Sequence, residues 1–354
     1  MIYKKLIRPF LFLLDSEKIH RVTFAFTHLL QCFGFHKLIR CFFKFSDPKL
    51  GVSVFGLEFD SPIGVAAGFD KECEIIPFLS ALNFSHIEAG TVTLEPQPGN
   101  PKPRIFRLVK DSALINRMGF PSKRAQLIAQ RLSNLGERAL IGMNIGKNKQ
   151  TSLEQAVQDY EQCAKIVAPY ADYIAINVSS PNTPELRKLQ EPQRLQEILD
   201  GVKRACDKEL PILVKLAPDI EQALLDQILD FLLSYKVDGV IISNTTFSRD
   251  GLQESIDEVG GLSGAPLFSK ACDLIAYTYK RTKGQLPIIG VGGVCCAQDA
   301  FDMMKKGAHL VQVYTSIIYE GPFVAREINK GLSRLVHESK FDSIGDIIGS
   351  DVPI

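Results

Sequence analysis

The chain has 354 residues, 45% of them hydrophobic and 23% charged, with 26 Gly and 19 Pro. This is ordinary globular composition, so whole-chain disorder, a collagen-like repeat and a small disulfide scaffold are excluded. With 41 basic against 40 acidic residues, the overall charge points to no nucleic-acid partner.

The balance conceals an asymmetry. In the first 45 residues eight Lys and Arg face two acids, Asp15 and Glu17, a net charge of +6 that leaves −5 on the remainder. The same segment holds nine of the 22 Phe and three of the six His. Its longest uncharged run, Val22 to Phe35, is 14 residues, short of the roughly 20 that a membrane-spanning helix needs. The apolar stretch Pro9 to Leu14 is too brief for a secretory signal and no small-residue cleavage site follows it. Two readings remain for residues 1–45. One is a pair of amphipathic helices lying on a membrane, with Asp15 as an N-cap, Phe and Leu on one face and Lys and Arg on the other. The second is a helical cap packed on the body.

From residue 60 onward, eight short Val- and Ile-rich runs alternate with helical-looking stretches. They are Ile63–Ala67, His86–Gly90, Leu140–Ile145, Tyr173–Val178, Ile212–Ala217, Asp238–Ser243, Pro287–Val291 and His309–Tyr314. Near-continuous apolar strands alternating with helices signify a parallel sheet, and eight such units predict a closed (β/α)8 barrel of the TIM type over 46–354. An open doubly wound sheet is the alternative, but no G-x-G-x-x-G follows the first run.

Two connections are unusually long. The one after His86–Gly90 carries the proline-rich Pro96 to Pro103, which precludes regular strands there and predicts a loop excursion with a short hairpin over the barrel mouth. The one after Asp238–Ser243 contains Gly260-Gly261-Leu262-Ser263-Gly264, read as a flexible loop or a backbone-contact site. Eight scattered cysteines form no C-x-x-C and no Cys/His cluster, so no metal site is expected and free thiols are the simplest account. Cys295-Cys296 reads as surface or helix-start filler.

The polar residues concentrate at the C-terminal ends of the runs, the active-site face of a barrel. Gly68, Asp70 and Lys71 follow the first run; Thr91 and Thr93 the second; Asn144 and Lys147 the third. Asn177, Ser179, Ser180, Asn182 and Thr183 follow the fourth, and Ser243, Asn244, Thr245 and Thr246 the sixth. Gly290-Val291-Gly292-Gly293 and Tyr314-Thr315-Ser316 occupy the usual phosphate position of a barrel. Together these residues predict a ligand cavity.

Lys215 alternates with apolar neighbours and should point inward, where an unpaired ammonium is costly. It either balances an anionic ligand or serves as a Schiff-base amine. Lys71 is equally open, because Asp70 beside it would suffice as a surface partner. The segment Asn177 to Pro184 offers amides for a planar polar ligand and serines as base or nucleophile; the other reading is an Asn/Ser/Pro turn capping the next helix.

Read in order, Ala66 to Lys71, Glu88 to Thr93, Pro96 to Pro103, Asn116 to Phe120, Asn144 to Asn148, Asn177 to Pro184 and Gly290 to Gly293 resemble the dihydroorotate dehydrogenase family over nearly the whole chain. The resemblance implies an FMN enzyme that oxidises dihydroorotate to orotate, a base removing the C5 proton as the C6 hydride goes to the flavin. Soluble class 1 members carry Cys at the base position. Ser180 stands there in this chain, as in the membrane-associated class 2, which passes electrons to a quinone, and the basic, Phe-rich start matches the class 2 helical extension. By position, Asn116, Asn177, Asn182, Asn244 and Thr245 resemble the orotate-binding set. Lys71 and the stretch Arg117, Met118, Gly119 and Phe120 join that set, with Phe120 and Thr183 flanking Ser180. Ala67, Gly68, Phe69, Asp70, Lys71 and Thr91 resemble FMN contacts, as do Asn144, Asn177, Lys215, Ser243 and Gly264, and Gly293, Tyr314 and Thr315. Lys215 would stabilise the reduced ring. His20, Arg107 and Tyr314 resemble the residues that meet the quinone. Ser243 departs from the commoner Thr but keeps a hydroxyl. With no presequence ahead of the helical start, the expected location is peripheral, on the cytoplasmic side of a bacterial inner membrane rather than in a mitochondrion.

Overall fold

The computed structural model describes residues 2–136, 138–183, 185–206, 208–254 and 256–354, so Pro184 of the Asn177 to Pro184 segment lies outside the described residues. All eight predicted runs are strands: Ile63–Val65, His86–Val92, Leu140–Ile145, Tyr173–Asn177, Ile212–Leu216, Gly239–Ile242, Ile288–Val291 and Leu310–Val313. Each pairs in parallel with its neighbours in chain order, and Leu310–Val313 pairs back to Ile63–Val65, closing the barrel. The order follows from the connections, since a right-handed helical crossover returns each strand beside the last. The crossover helices bury one stripe each. Helix Ala156–Val167 buries Ala156, Tyr160, Cys163, Ala164 and Val167, a helical spacing that fills the layer against the strands.

The barrel interior is packed below the mouth, and glycine makes room for large rings. A Cβ on Gly142 would lie 2.0 Å from the Tyr173 ring, and one on Gly64 would lie 2.2 Å from His86 Nε2. Burial pushes the His86 imidazole down to about 3, so it is neutral core at physiological pH. A short antiparallel hairpin, Val52–Val54 with Leu57–Phe59, packs Phe59 edge-on against His86 at that end.

Over the mouth lies a three-stranded antiparallel sheet of Ile105–Leu108, Ala113–Asn116 and Gly261–Gly264. The expected hairpin is its first two strands. The expectation of a flexible loop at Gly260 to Gly264 is corrected: Gly261–Gly264 is a strand paired to Ala113–Asn116. Glycine is required there for close approach, because a Cβ on Gly261 would meet Thr245 Oγ1 at 1.9 Å.

The N-terminal segment forms a π-helical turn Tyr3–Ile7 and helices Arg8–Phe12, Ser16–Cys32 and Phe35–Phe43. Asp15 is the N-cap of the longest, accepting from the Lys18 N–H at 2.9 Å. The helices touch the barrel along one edge. Tyr3 donates to the Ile318 carbonyl, Arg8 to that of Tyr319, and Gln31 to that of Glu74. Their other side is bare: Phe10, Leu13, Phe26, Phe33 and Phe42 are 60–83% exposed. No helix among the described residues is long and apolar enough to cross a membrane.

Candidate active site

The C-terminal strand ends and the overlying sheet enclose a cavity of about 230 Å³, room for far more than one water at ~30 Å³ each. Its floor is a polar layer across four strands. Thr91 Oγ1 donates to Asn144 Oδ1 at 2.6 Å, and Asn177 Nδ2 donates to both Thr91 Oγ1 and Asn144 Oδ1 at 3.0 Å. Asn144 Nδ2 in turn donates to Glu88 Oε1 at 2.7 Å. Cross-strand register brings these groups together, Gly90 facing Asn144 and Asn177 facing Lys215.

Lys215 points inward as expected, but it is not unpaired. Its Nζ lies 3.0 Å from Glu88 Oε1, and both side chains are buried. The choice between an anionic ligand and a Schiff-base amine is therefore corrected by a third option, a counter-ion supplied by the protein. An acidic residue inside the apolar run His86–Gly90 was the available signal. It identifies no partner by itself, because Glu88 and Lys215 meet only when the barrel closes.

One wall is the loop after Tyr173–Asn177. Ser180, Asn182, Asn116, Asn177 and Asn244 all line the cavity. Asn182 Nδ2 donates to Asn116 Oδ1 at 3.3 Å, and Asn244 Nδ2 to Ser179 Oγ at 2.9 Å, so each amide is held by a neighbour. Ser180 Oγ accepts the Asn182 N–H at 3.2 Å, and Thr183 Oγ1 is buried without a partner. Behind this loop Arg187 donates to the Ser179 and Thr245 carbonyls and pairs with Asp219 at 3.2 Å. Asp219 also takes Lys270 at 2.6 Å and Thr246 at 2.5 Å. This brace joins connections after three strands, and no local motif announces it.

The opposite wall combines Gly292 and Gly293, in positive-φ conformations, with Tyr314, Thr315 and Ser316. Thr315 and Ser263 hydroxyls meet at 2.9 Å. Lys71 donates to the Gly68 carbonyl, which also accepts from Tyr314 at 3.3 Å. Lys71 lines the cavity and is largely buried; burial, then the nearby Arg104 charge, pulls its amine down to about 8. Burial pushes the Tyr314 phenol up to about 12.

Ala67, Gly68, Met118, Gly119, Phe120, Ser243, Thr245 and Gly264 also line the cavity, whereas several expected site residues sit off its wall. Asp70 is buried and accepts the Glu74 and Ile75 N–H groups at 2.9 and 2.8 Å, so it orders the next turn and is no surface partner of Lys71. Burial raises its carboxyl to about 6. Arg117 lies over the Phe106 ring and pairs with Glu258 at 2.5 Å. Asn144 belongs to the hydrogen-bonded floor layer but presents no surface to the cavity. Phe69 faces outward as a link: His20 is edge-on to Phe69 at 5.8 Å, and Phe69 is edge-on to Tyr314 at 5.7 Å. A line of rings thus runs from helix Ser16–Cys32 to the cavity. Burial pushes His20 down to about 3, leaving it neutral. Arg107 donates to the Leu11 and Leu14 carbonyls and lies 4.7 Å from the Phe12 ring centre, tying the first helix to the overlying sheet.

The charged residues of the lining are Lys71, Lys215 and Glu320, and Ser316 Oγ and Gln312 Oε1 are buried without partners. The cavity therefore suits an anionic, hydrogen-bonding ligand, with amides and hydroxyls to orient it. Cys295 lines the cavity, and the Cys296 side chain beside it caps helix Ala297–Lys305, the helix-start role read from the sequence.

The family model for dihydroorotate dehydrogenase matches residues 49–336. A curated relative from Natronomonas pharaonis, dihydroorotate dehydrogenase (quinone), is 42% identical over 98% of this chain and 99% of its own length. One of the same name from Roseiflexus castenholzii is 45% identical over 98% and 96%. Among solved structures, that of DHODH from Eimeria tenella in complex with ferulenol superposes with a TM-score of 0.87 at 35% identity, covering 95% of this chain and 96% of that one.

Proposed function

This chain belongs to the dihydroorotate dehydrogenase family, and from that premise we propose how its cavity works. It oxidises (S)-dihydroorotate to orotate in de novo pyrimidine (UMP) biosynthesis, as a flavin-dependent oxidoreductase with a quinone as electron acceptor. The flavin is FMN. Gly292, Gly293 and Thr315, with Ser316 Oγ that has no protein partner, would hold its phosphate, and Thr91, Asn177 and Lys215 would hold its ring. When bound, FMN supplies a two-electron acceptor for the substrate and a donor to the quinone.

The chain does the rest. Asn116, Asn177, Asn182 and Asn244 orient the planar, anionic substrate, with Thr245 beside them, and Lys71 offsets its carboxylate. Ser180 Oγ is placed to take the C5 proton as the C6 hydride departs and the C5–C6 double bond forms, a bound flavin being the group that would accept that hydride. The serine has no His, Asp or Glu within hydrogen-bond distance among the described residues, so the proton leaves past Phe120 and Thr183. Two electrons and two protons then convert quinone to quinol.

The observation that carries this reading is the convergence of Ser180, four asparagines and two lysines on one cavity. The ring line from His20 through Phe69 to Tyr314 supports quinone entry between the N-terminal helices and the barrel. Residues 1–45 serve as the membrane-docking extension and 46–354 as the catalytic barrel. The exposed Phe and Leu set beside basic residues rests on the cytoplasmic face of a bacterial inner membrane as a peripheral contact.

An anaerobic visible spectrum tests the reading. Dihydroorotate should bleach the flavin, and a short-chain quinone should restore it while fumarate and NAD do not. A flavin spectrum that dihydroorotate leaves unchanged rejects the substrate; recovery with fumarate or NAD alone rejects the quinone.

A further inference from the structure

Beneath the cavity floor lies a carboxylate that touches neither wall. Glu88 is fully buried in the strand His86–Val92 and is gripped from three other strands. Its Oε1 accepts Asn144 Nδ2 at 2.7 Å and Lys215 Nζ at 3.0 Å, and its Oε2 accepts Gln312 Nε2 at 2.8 Å. Gln312 also reaches Tyr173 Oη at 3.3 Å. Lys215 and Gln312 line the cavity, whereas Glu88 and Asn144 do not. The ammonium therefore faces the ligand and its counter-charge stands directly behind it.

A buried ion pair is a poor way to gain stability, because desolvation offsets most of the attraction, so its retention calls for another role. In a low-dielectric floor, the field that a ligand feels from Lys215 is the ammonium's field less that of the carboxylate behind it. Lys215 alone would favour extra negative charge on whatever it faces. A flavin that must be reduced by one substrate and then reoxidised by another needs that preference tempered. Two further donors, Asn144 and Gln312, hold the carboxylate at a fixed distance from Nζ, so the tempering is set by geometry rather than by solvent.

We propose that Glu88 is a positioning residue that, through Lys215, sets the balance between oxidised and reduced flavin; the inference rests on the flavin reading of the cavity given above. Asn144 and Gln312 fix the carboxylate, and the pair acts as one unit with its positive end toward the ligand.

Holoprotein carrying Glu88→Gln keeps the side-chain size and an acceptor for Asn144 while removing the charge. Two readouts other than turnover apply: the affinity for sulfite, which rises with positive charge held beside a flavin ring, and the reduced-to-oxidised ratio at equilibrium with a reference dye. Glu88→Gln should bind sulfite at least tenfold more tightly and shift the ratio at least tenfold toward reduced flavin. Glu88→Asp, which keeps the charge but draws it back from Nζ, should shift both in the same direction by less, and serves alone if Glu88→Gln does not hold flavin. Values within twofold of the parent in the variants that hold flavin, or shifts in the opposite direction, overturn the proposal. Lys215→Met should weaken sulfite binding at least tenfold. No effect of that variant shows that the flavin does not face Lys215 and so removes the underlying reading, whereas a clear effect there with none at Glu88 removes only the role of Glu88.

Discussion

Glu17, in the first turn of the long N-terminal helix, receives two hydrogen bonds from Arg104, at 2.9 and 3.1 Å. Arg104 also donates to the Pro98 and Asn100 carbonyls, and Asn100 Nδ2 donates to the Asn182 carbonyl at 3.1 Å. One ion pair, with the Asn100 bond, therefore joins the long N-terminal helix to the loop beside Ser180. Both side chains are close to buried, at 12% and 8% exposure, so the pair is a structural joint rather than a surface contact.

Arg104→Ala leaves Glu17 with only the half-exposed Lys102 as its cation partner and frees two carbonyls, and should cost about 2–3 kcal/mol of stability, the worth of lost hydrogen bonds to charged groups. Denaturant unfolding measures it. Burial alone would raise the Glu17 carboxyl, but the bonds from Arg104 and Lys102 hold it below its ordinary value. The stability it contributes is therefore present above the unfolded-state value of about 4.5 and is lost as pH falls through the lower folded value. In Arg104→Ala that acid-side loss should flatten.

Ser180→Ala removes the proposed base and leaves the Asn182 N–H without its acceptor. FMN content should be unchanged, and flavin reduction by dihydroorotate should slow by about 10²–10⁴, the usual worth of a general base. Stopped-flow bleaching at 450 nm reads this directly. A rate within threefold of the parent would remove Ser180 from the chemistry.

Lys71 gives the pH dependence its sign. With its amine at about 8, the free protein holds an ammonium below that pH and loses it above. The kcat/KM for the anionic substrate, which reports the free enzyme, should fall as pH rises through about 8. Lys71→Met should lack this limb. Because the folded value lies below the ordinary 10.5, the unfolded chain binds the extra proton between the two, and stability should rise with pH from about 8 toward 10.5.

Phe26, Leu29 and Phe33 are 60%, 53% and 72% exposed on the barrel-free side of the N-terminal helices. At roughly 1.5–3 kcal/mol for each large apolar side chain buried, replacing all three by Ser should lower binding to anionic vesicles more than a hundredfold. Turnover with a membrane-bound quinone should fall with it, and turnover with a soluble dye should persist. Equal vesicle binding by the triple variant would remove the docking role.

The barrel was readable because its signal is local. Each run such as Tyr173–Val178 is apolar over consecutive residues, which only a strand buried on both faces requires, and Asp15 announces a helix start three residues ahead of the N–H it caps. The candidate site was readable in outline for the same reason, since strand ends fall where apolar runs stop. The strand Gly261–Gly264 was not, because its glycines look like a loop until the partner Ala113–Asn116 is in place beside them.

The amino-acid sequence by itself determined the eight-stranded barrel, the face that carries the polar residues, and the basic, Phe-rich segment that stands apart from the body. The tertiary structure alone decided that Lys215 has Glu88 behind it, that Arg187 and Asp219 brace the Ser180 loop, and that His20, Phe69 and Tyr314 form one line. The division is physical. Burial and hydrogen bonding of a strand or helix are satisfied by residues a few positions apart, and so leave a periodic trace. An ion pair or ring contact joins residues tens to hundreds of positions apart, and its partners are selected only when the closed barrel sets their distance.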